Sequence, residues 1–121
     1  MDGSFLVTFE SDHVRVVTDA EKNLAVSTTL WTEIAAMCEK HECFTVLAVS
    51  DAPAPMPMTD GFSHADLFRK LGITSKYRIA WAELNDDARS ATEFVETVLN
   101  NRSLPGKVFA TEAEARRWLF P

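Results

Sequence analysis

Positive charge is in short supply in this chain: 12 Lys and Arg stand against 18 Asp and Glu, for a formal net charge of −6. Contacts to phosphates need clustered cations, so this balance argues against nucleic acid and against anionic membrane surfaces as partners. Long apolar runs are missing too. None approaches the roughly 20 residues of a spanning helix, so no transmembrane segment is expected. Glycine is scarce, with four in 121 residues. No glycine-rich phosphate loop, Ser-His-Asp order or nucleophile elbow is present, and the reading is non-enzymatic with no cofactor. The start, Met1-Asp2-Gly3-Ser4, lacks the basic-then-apolar order of a signal peptide, which predicts a cytoplasmic protein. The two cysteines are then expected as reduced thiols. No internal repeat or linker divides the chain, and its length suits one domain over residues 1–121.

What is present is a core and a clear alternation. Hydrophobic residues make up 46%, including eight Phe and three Trp. Phe5, Val7 and Phe9 alternate with polar or outward positions, as do Val14 and Val16, with Ser11-Asp12 between them; this predicts a hairpin whose turn lacks the usual glycine. Asp19 to Asn23 reads as a polar linker. Leu30, Ile34, Met37, Cys38 and His41 recur at helical spacing in a helix from Leu24 to about Glu42. Phe44 to Val49 is a continuous apolar run, suited to a strand covered on both faces. Asp51 to Gly61 holds Pro53, Pro55 and Pro57, which argue against regular structure there. Ser63-x-x-Asp66 opens a short helix closed by Gly72-Ile73. Tyr77 to Leu84 is a strand, Asp86 to Asn101 a helix, Lys107 to Ala110 a strand, and Thr111-x-x-Glu114 opens a last helix. The order ββαβαβαβα predicts an α/β fold: a single mixed sheet, hairpin plus parallel strands, with about four packed helices.

That order, with the ending Lys107-Val108-Phe109-Ala110 to Arg117-Trp118-Leu119, resembles the SpoIIAA-like proteins of the STAS and SEC14-like superfamily. The passages Trp31 to Val49, His64-Ala65-Asp66-Leu67-Phe68 and Tyr77-Arg78-Ile79-Ala80-Trp81 carry the resemblance across essentially the whole chain. It implies a regulatory or binding module without catalytic residues, whose partner is a protein or a small apolar ligand. In anti-sigma-antagonist relatives a phosphorylated Ser or Thr follows the third strand. The matching region here is Thr59-Asp60-Gly61-Phe62-Ser63, which implies a phosphosite at Ser63 or Thr59.

Several side chains are candidates for chemistry. Ser63 is either a helix cap or a phosphoacceptor. Met56, Met58 and Phe62 either present an adaptable apolar contact or fold back to close the core. Asp51 and Glu83 end neighbouring strands at the carboxyl edge, where open α/β sheets bind ligands, so they either rim a pocket or are solvated strand ends. Cys38, His41 and Cys43 offer too few ligands for a structural zinc, so no metal site is expected. His64 is expected as polar surface beside a cap, His13 has no evident partner, and an enzyme built on Asp51, Glu83 and His64 is a further alternative. The hairpin leaves an edge strand that could pair between copies, giving a homodimer.

Overall fold

A computed structural model describes residues 4–121; the reading of Met1-Asp2-Gly3 lies outside them. Strand β1 (Phe5–Phe9) returns as β2 (Val14–Thr18), with Phe5 opposite Thr18 and Phe9 opposite Val14. In the glycine-free turn it is Ser11 that takes the left-handed backbone, at φ 67°. Helix α1 (Leu24–His41) leads to β3 (Thr45–Ser50), a short helix α2 (Met58–Phe62) and α3 (His64–Leu71) lead to β4 (Arg78–Glu83), and α4 (Asp86–Asn100) leads to β5 (Lys107–Phe109). Helix α5 (Glu112–Leu119) ends the chain. The fold is α/β, with one five-stranded mixed sheet in the order β1-β2-β3-β4-β5. Only β1 runs antiparallel to its neighbour.

Local sequence explains most boundaries. Asn23 caps α1 by accepting from the Val26 N–H at 2.9 Å, and Asn85 caps α4 by accepting from the Asp87 N–H at 3.0 Å. Thr111 and Glu114 form the reciprocal cap of α5: the Glu114 N–H donates to Thr111 Oγ1, and the Thr111 hydroxyl donates to the Glu114 carboxylate, both at 3.2 Å. Gly72 closes α3 at φ 73°, and the next N–H, of Ile73, returns to the Phe68 carbonyl.

Two expectations fail here. The proline segment is not irregular throughout, because Pro57 immediately precedes α2 and leaves its backbone free to turn. Ser63 is not a cap. It sits in helical backbone between α2 and α3, and its hydroxyl donates back to the Thr59 carbonyl at 3.2 Å.

Consecutive strand order with right-handed crossovers places the connecting helices on one face of the sheet. The packing agrees: Val14, Val16, Val46, Ala48, Ile79 and Trp81 form one core with residues of α1, α3 and α4. On the other face Leu47, Ala80 and Ala82 pack against Ala115 and Leu119 of α5. α1 buries Ser27 and Trp31 besides Leu30, Ile34 and Cys38, so its inward face is rotated from the expected one. Met37 and His41 are only half-buried, and the His41 ring stacks on Phe9 at 4.0 Å. Among the described residues, no helix is long and apolar enough to cross a membrane.

Candidate functional site

The residue that organises the interior is Glu83. It ends β4 at full burial, on the helix-covered face two residues from Trp81. It is neither a pocket rim nor a solvated strand end. A buried carboxylate must be compensated, and this one is. Lys22 Nζ lies 2.9 Å from Oε1. The Trp81 indole N–H donates to the same oxygen at 3.3 Å, and the Ser50 hydroxyl and the Ala52 N–H donate to Oε2 at 3.1 Å each. Burial by itself pushes the Glu83 carboxyl up, but Lys22 and the surrounding donors outweigh it and hold the group below the ordinary carboxylate range. Burial pulls the Lys22 ammonium down from its ordinary value, and the contact with Glu83 opposes that shift, so each partner keeps the other charged.

Lys22 belongs to the segment expected to be a polar linker. Its side chain is only 10% exposed. The ammonium also donates to Thr92 Oγ1 of α4 at 2.9 Å and lies 4.7 Å from the centre of the Trp81 ring. Lys22 therefore ties the approach to α1 onto both β4 and α4.

Beside this pair is a second polar cluster. His64 is buried, not surface-exposed. Its Nδ1 faces the Asp60 carbonyl at 2.8 Å, and a carbonyl only accepts, so Nδ1 carries the proton. Nε2 is then the acceptor, receiving the Ser27 hydroxyl at 3.0 Å. The Asp60 carboxylate in turn accepts from the Leu24 N–H at 3.0 Å, seating α2 on the first turn of α1. Burial lowers the His64 pKa, and nearby Lys22 lowers it further against the opposing pull of Asp60. The folded protein therefore resists protonating His64, while the unfolded chain takes up that proton below about pH 6.5. Stability in urea is expected to fall as pH drops below that value, and His64→Gln is expected to flatten the slope. Equal slopes for the two proteins would show that His64 is not held neutral by its burial.

These groups line one wall of a half-open cavity of about 60 Å³, with Lys22, Ser27, His64 and Thr92 on the polar side. Trp31, Phe68, Trp81 and Leu99 are among the apolar side chains that complete it. Outside, between α2 and α4, runs a groove of about 220 Å³. Gly61 allows α2 to lie this close, since a Cβ there would stand 3.2 Å from the Phe94 ring. Met56 lines both the cavity and the groove.

The expected apolar trio is thus divided. Met56 is buried, whereas Met58 and Phe62 are 66% and 52% exposed. Phe62 meets Phe94 edge-on at 5.0 Å. Asp51 lies elsewhere, exposed at a shallow groove with Leu6, Val17, Val49 and Leu84. The strand order explains this: the parallel strands run in one direction without reversal, so no switch-point crevice gathers the strand ends. Asp51, Glu83 and His64 do not converge. Thr59 is exposed, and the Ser63 hydroxyl is engaged by Thr59. His13 is buried against Asp12 and the Phe120 ring. Cys38 is buried in the core, and among the described residues no three His, Cys, Asp or Glu side chains are grouped to hold a metal.

Lys22, Ser27 and Thr92 were missed as site residues. The signal for a partner was present in Glu83, a lone charge in the apolar run from Ile79 to Leu84. Comparison with protein-family models gives no match, and comparison with curated proteins gives none either.

Proposed function

We propose that this chain is a non-enzymatic binding domain of SpoIIAA-like, STAS-type architecture that takes a small apolar ligand between α1, α3 and α4. The element order and the capped final helix ending in Trp118-Leu119 support the architecture. The observation that carries the function is the double position of Met56. A cavity of about 60 Å³ has room for a few waters; the roughly 150 Å³ that admits benzene is more than twice as large. The inner space by itself is therefore too small. Cavity and groove together approach the roughly 300 Å³ at which small-molecule sites begin. An unbranched methionine with three rotatable side-chain bonds is suited to move between the two. Binding then consists of displacing Met56 and filling both spaces.

Native mass spectrometry of freshly purified protein, before and after gentle denaturation, tests this. A non-covalent apolar mass released on unfolding is the expected result. An apo mass, together with Trp31 and Trp81 emission unmoved by hexan-1-ol in a Trp118→Phe background, would overturn the proposal.

A second reading, a protein partner, is favoured by the exposure of Met58 and Phe62 beside Phe94. Flexible methionine surfaces adapt to apolar partners. Phe62→Ser separates the two readings, because Phe62 lines neither the cavity nor the groove that the ligand would fill.

A further inference from the structure

The polar wall of the cavity specifies a ligand more closely than its size does. We infer that the site takes a neutral amphipathic molecule, an apolar body bearing a single hydroxyl, and rejects carboxylates and amines of the same length. The inference rests on the ligand-binding reading above and names the class of ligand for that same site.

The first argument is charge. Lys22 at the cavity is neutralised by Glu83 at 2.9 Å. Around the remaining wall, Glu96 and Lys107 supply one charge of each sign. Glu96 is already committed, accepting from the Val108 N–H at 2.7 Å. His64 is neutral in the tautomer fixed by the Asp60 carbonyl. Glu83 is not itself on the wall but lies directly behind Lys22 and balances it, and Lys107 is exposed, so its charge stays in water. An entering carboxylate would leave water to become a second anion on a lysine that already has one. At the buried end an entering ammonium would meet Glu83, already engaged by Lys22 and four neutral donors. At the buried end either ion gives up its hydration without an uncompensated counter-charge there to receive it.

The second argument is hydrogen-bond valence. The Lys22 ammonium has three protons, and its oxygen partners among the described residues are Glu83 and Thr92. One donor is left for a third acceptor. The Ser27 hydroxyl gives its only proton to His64 Nε2, so toward a ligand it can only accept. The buried end of the wall, away from Glu96 and Lys107, thus offers one donor and one acceptor. A ligand hydroxyl accepts from the first and donates to the second. A carboxylate has no proton for Ser27, and an ammonium has no lone pair for Lys22.

The test is calorimetric titration at pH 7.5 with three probes of equal chain length: hexan-1-ol, hexanoate and hexylammonium. Hexan-1-ol is expected to bind at least about tenfold more tightly than either ion, a difference of about 1.4 kcal/mol. Ser27→Ala, which removes the acceptor, is expected to narrow that lead several-fold, and Trp emission reports whether the variant remains folded. Hexanoate or hexylammonium binding as tightly as the alcohol would overturn the neutral-ligand inference while leaving the binding reading intact. A lead unchanged in Ser27→Ala would remove Ser27 from the site and overturn the valence argument. If none of the three binds wild type or Met56→Ala, the binding reading falls and this inference falls with it.

Discussion

Replacing Lys22 with methionine is expected to lower the unfolding free energy by about 3–5 kcal/mol at pH 7, the usual penalty for stranding one member of a buried ion pair. Small domains hold roughly 5–15 kcal/mol in all, so the variant would sit near the edge of folding. The magnitude follows from Glu83. Its carboxylate is fully buried and, without Lys22, keeps only neutral donors from Ser50, Ala52, Trp81 and Thr92.

The pH dependence is specific. In the wild type the Glu83 pKa is depressed on folding, so its contribution is present above the ordinary carboxylate value and is lost as pH falls through the lower folded one. In Lys22→Met burial acts unopposed by a cation and raises the carboxyl above that value. The variant then loses stability as pH rises from about 5 to 7, opposite in sign to the wild type. Lys22→Met combined with Glu83→Leu is expected to recover most of the loss, because two apolar groups leave no charge to compensate. Urea denaturation of the single and double variants across pH measures all of this. A single-variant loss below about 1 kcal/mol, as for an exposed pair, would show that water reaches Glu83.

The same pair shows which parts of this protein were legible in its sequence. Strands and caps were, because they depend on neighbours in sequence. The run from Phe44 to Val49 announced a central strand, Thr111 and Glu114 a capped helix, and Gly72 a left-handed stop. The mixed five-stranded sheet followed from the alternation. The site was not legible, because it is assembled from side chains far apart in sequence. Lys22 sits among polar residues where nothing local demands burial, and only the placement of α4 brings Thr92 to it. Ser63 fits the local pattern of a cap, yet α2 continues almost directly into α3, so its backbone is helical and its hydroxyl turns back to the Thr59 carbonyl instead of forward to the α3 N–H groups. His64 was misread for the same reason. Two residues into a presumed surface helix start it has no visible partner, whereas in three dimensions α1 supplies Ser27. Met56, Met58 and Phe62 are close in sequence, but Met56, just before α2, is buried, whereas the two that belong to α2 are exposed.

The double position of Met56 gives the second large effect. Met56→Ala is expected to cost about 2–5 kcal/mol in the absence of ligand, as for other buried methionines truncated to alanine. The lower part of that range is expected, because one side of Met56 borders a groove open to solvent and water can enter the space it leaves. The same substitution joins the cavity to the groove without requiring any side chain to move. A ligand that had to displace Met56 in the wild type no longer does so, and its affinity is expected to rise about tenfold or more. At a hexan-1-ol concentration 100 times its Kd, binding restores about 2.7 kcal/mol, comparable with the loss itself. Thermal denaturation with and without hexan-1-ol should therefore show the variant well below wild type when empty and close to it when saturated. Leu6→Ala, at an exposed position that borders neither space, is expected to change stability by less than about 0.5 kcal/mol and to leave the alcohol's effect as in wild type. A Met56→Ala protein destabilised to the same extent at every alcohol concentration would mean that the inner space stays closed when Met56 is gone. The methionine would then be core packing, and the exposed face of Met58, Phe62 and Phe94 would become the stronger candidate for function.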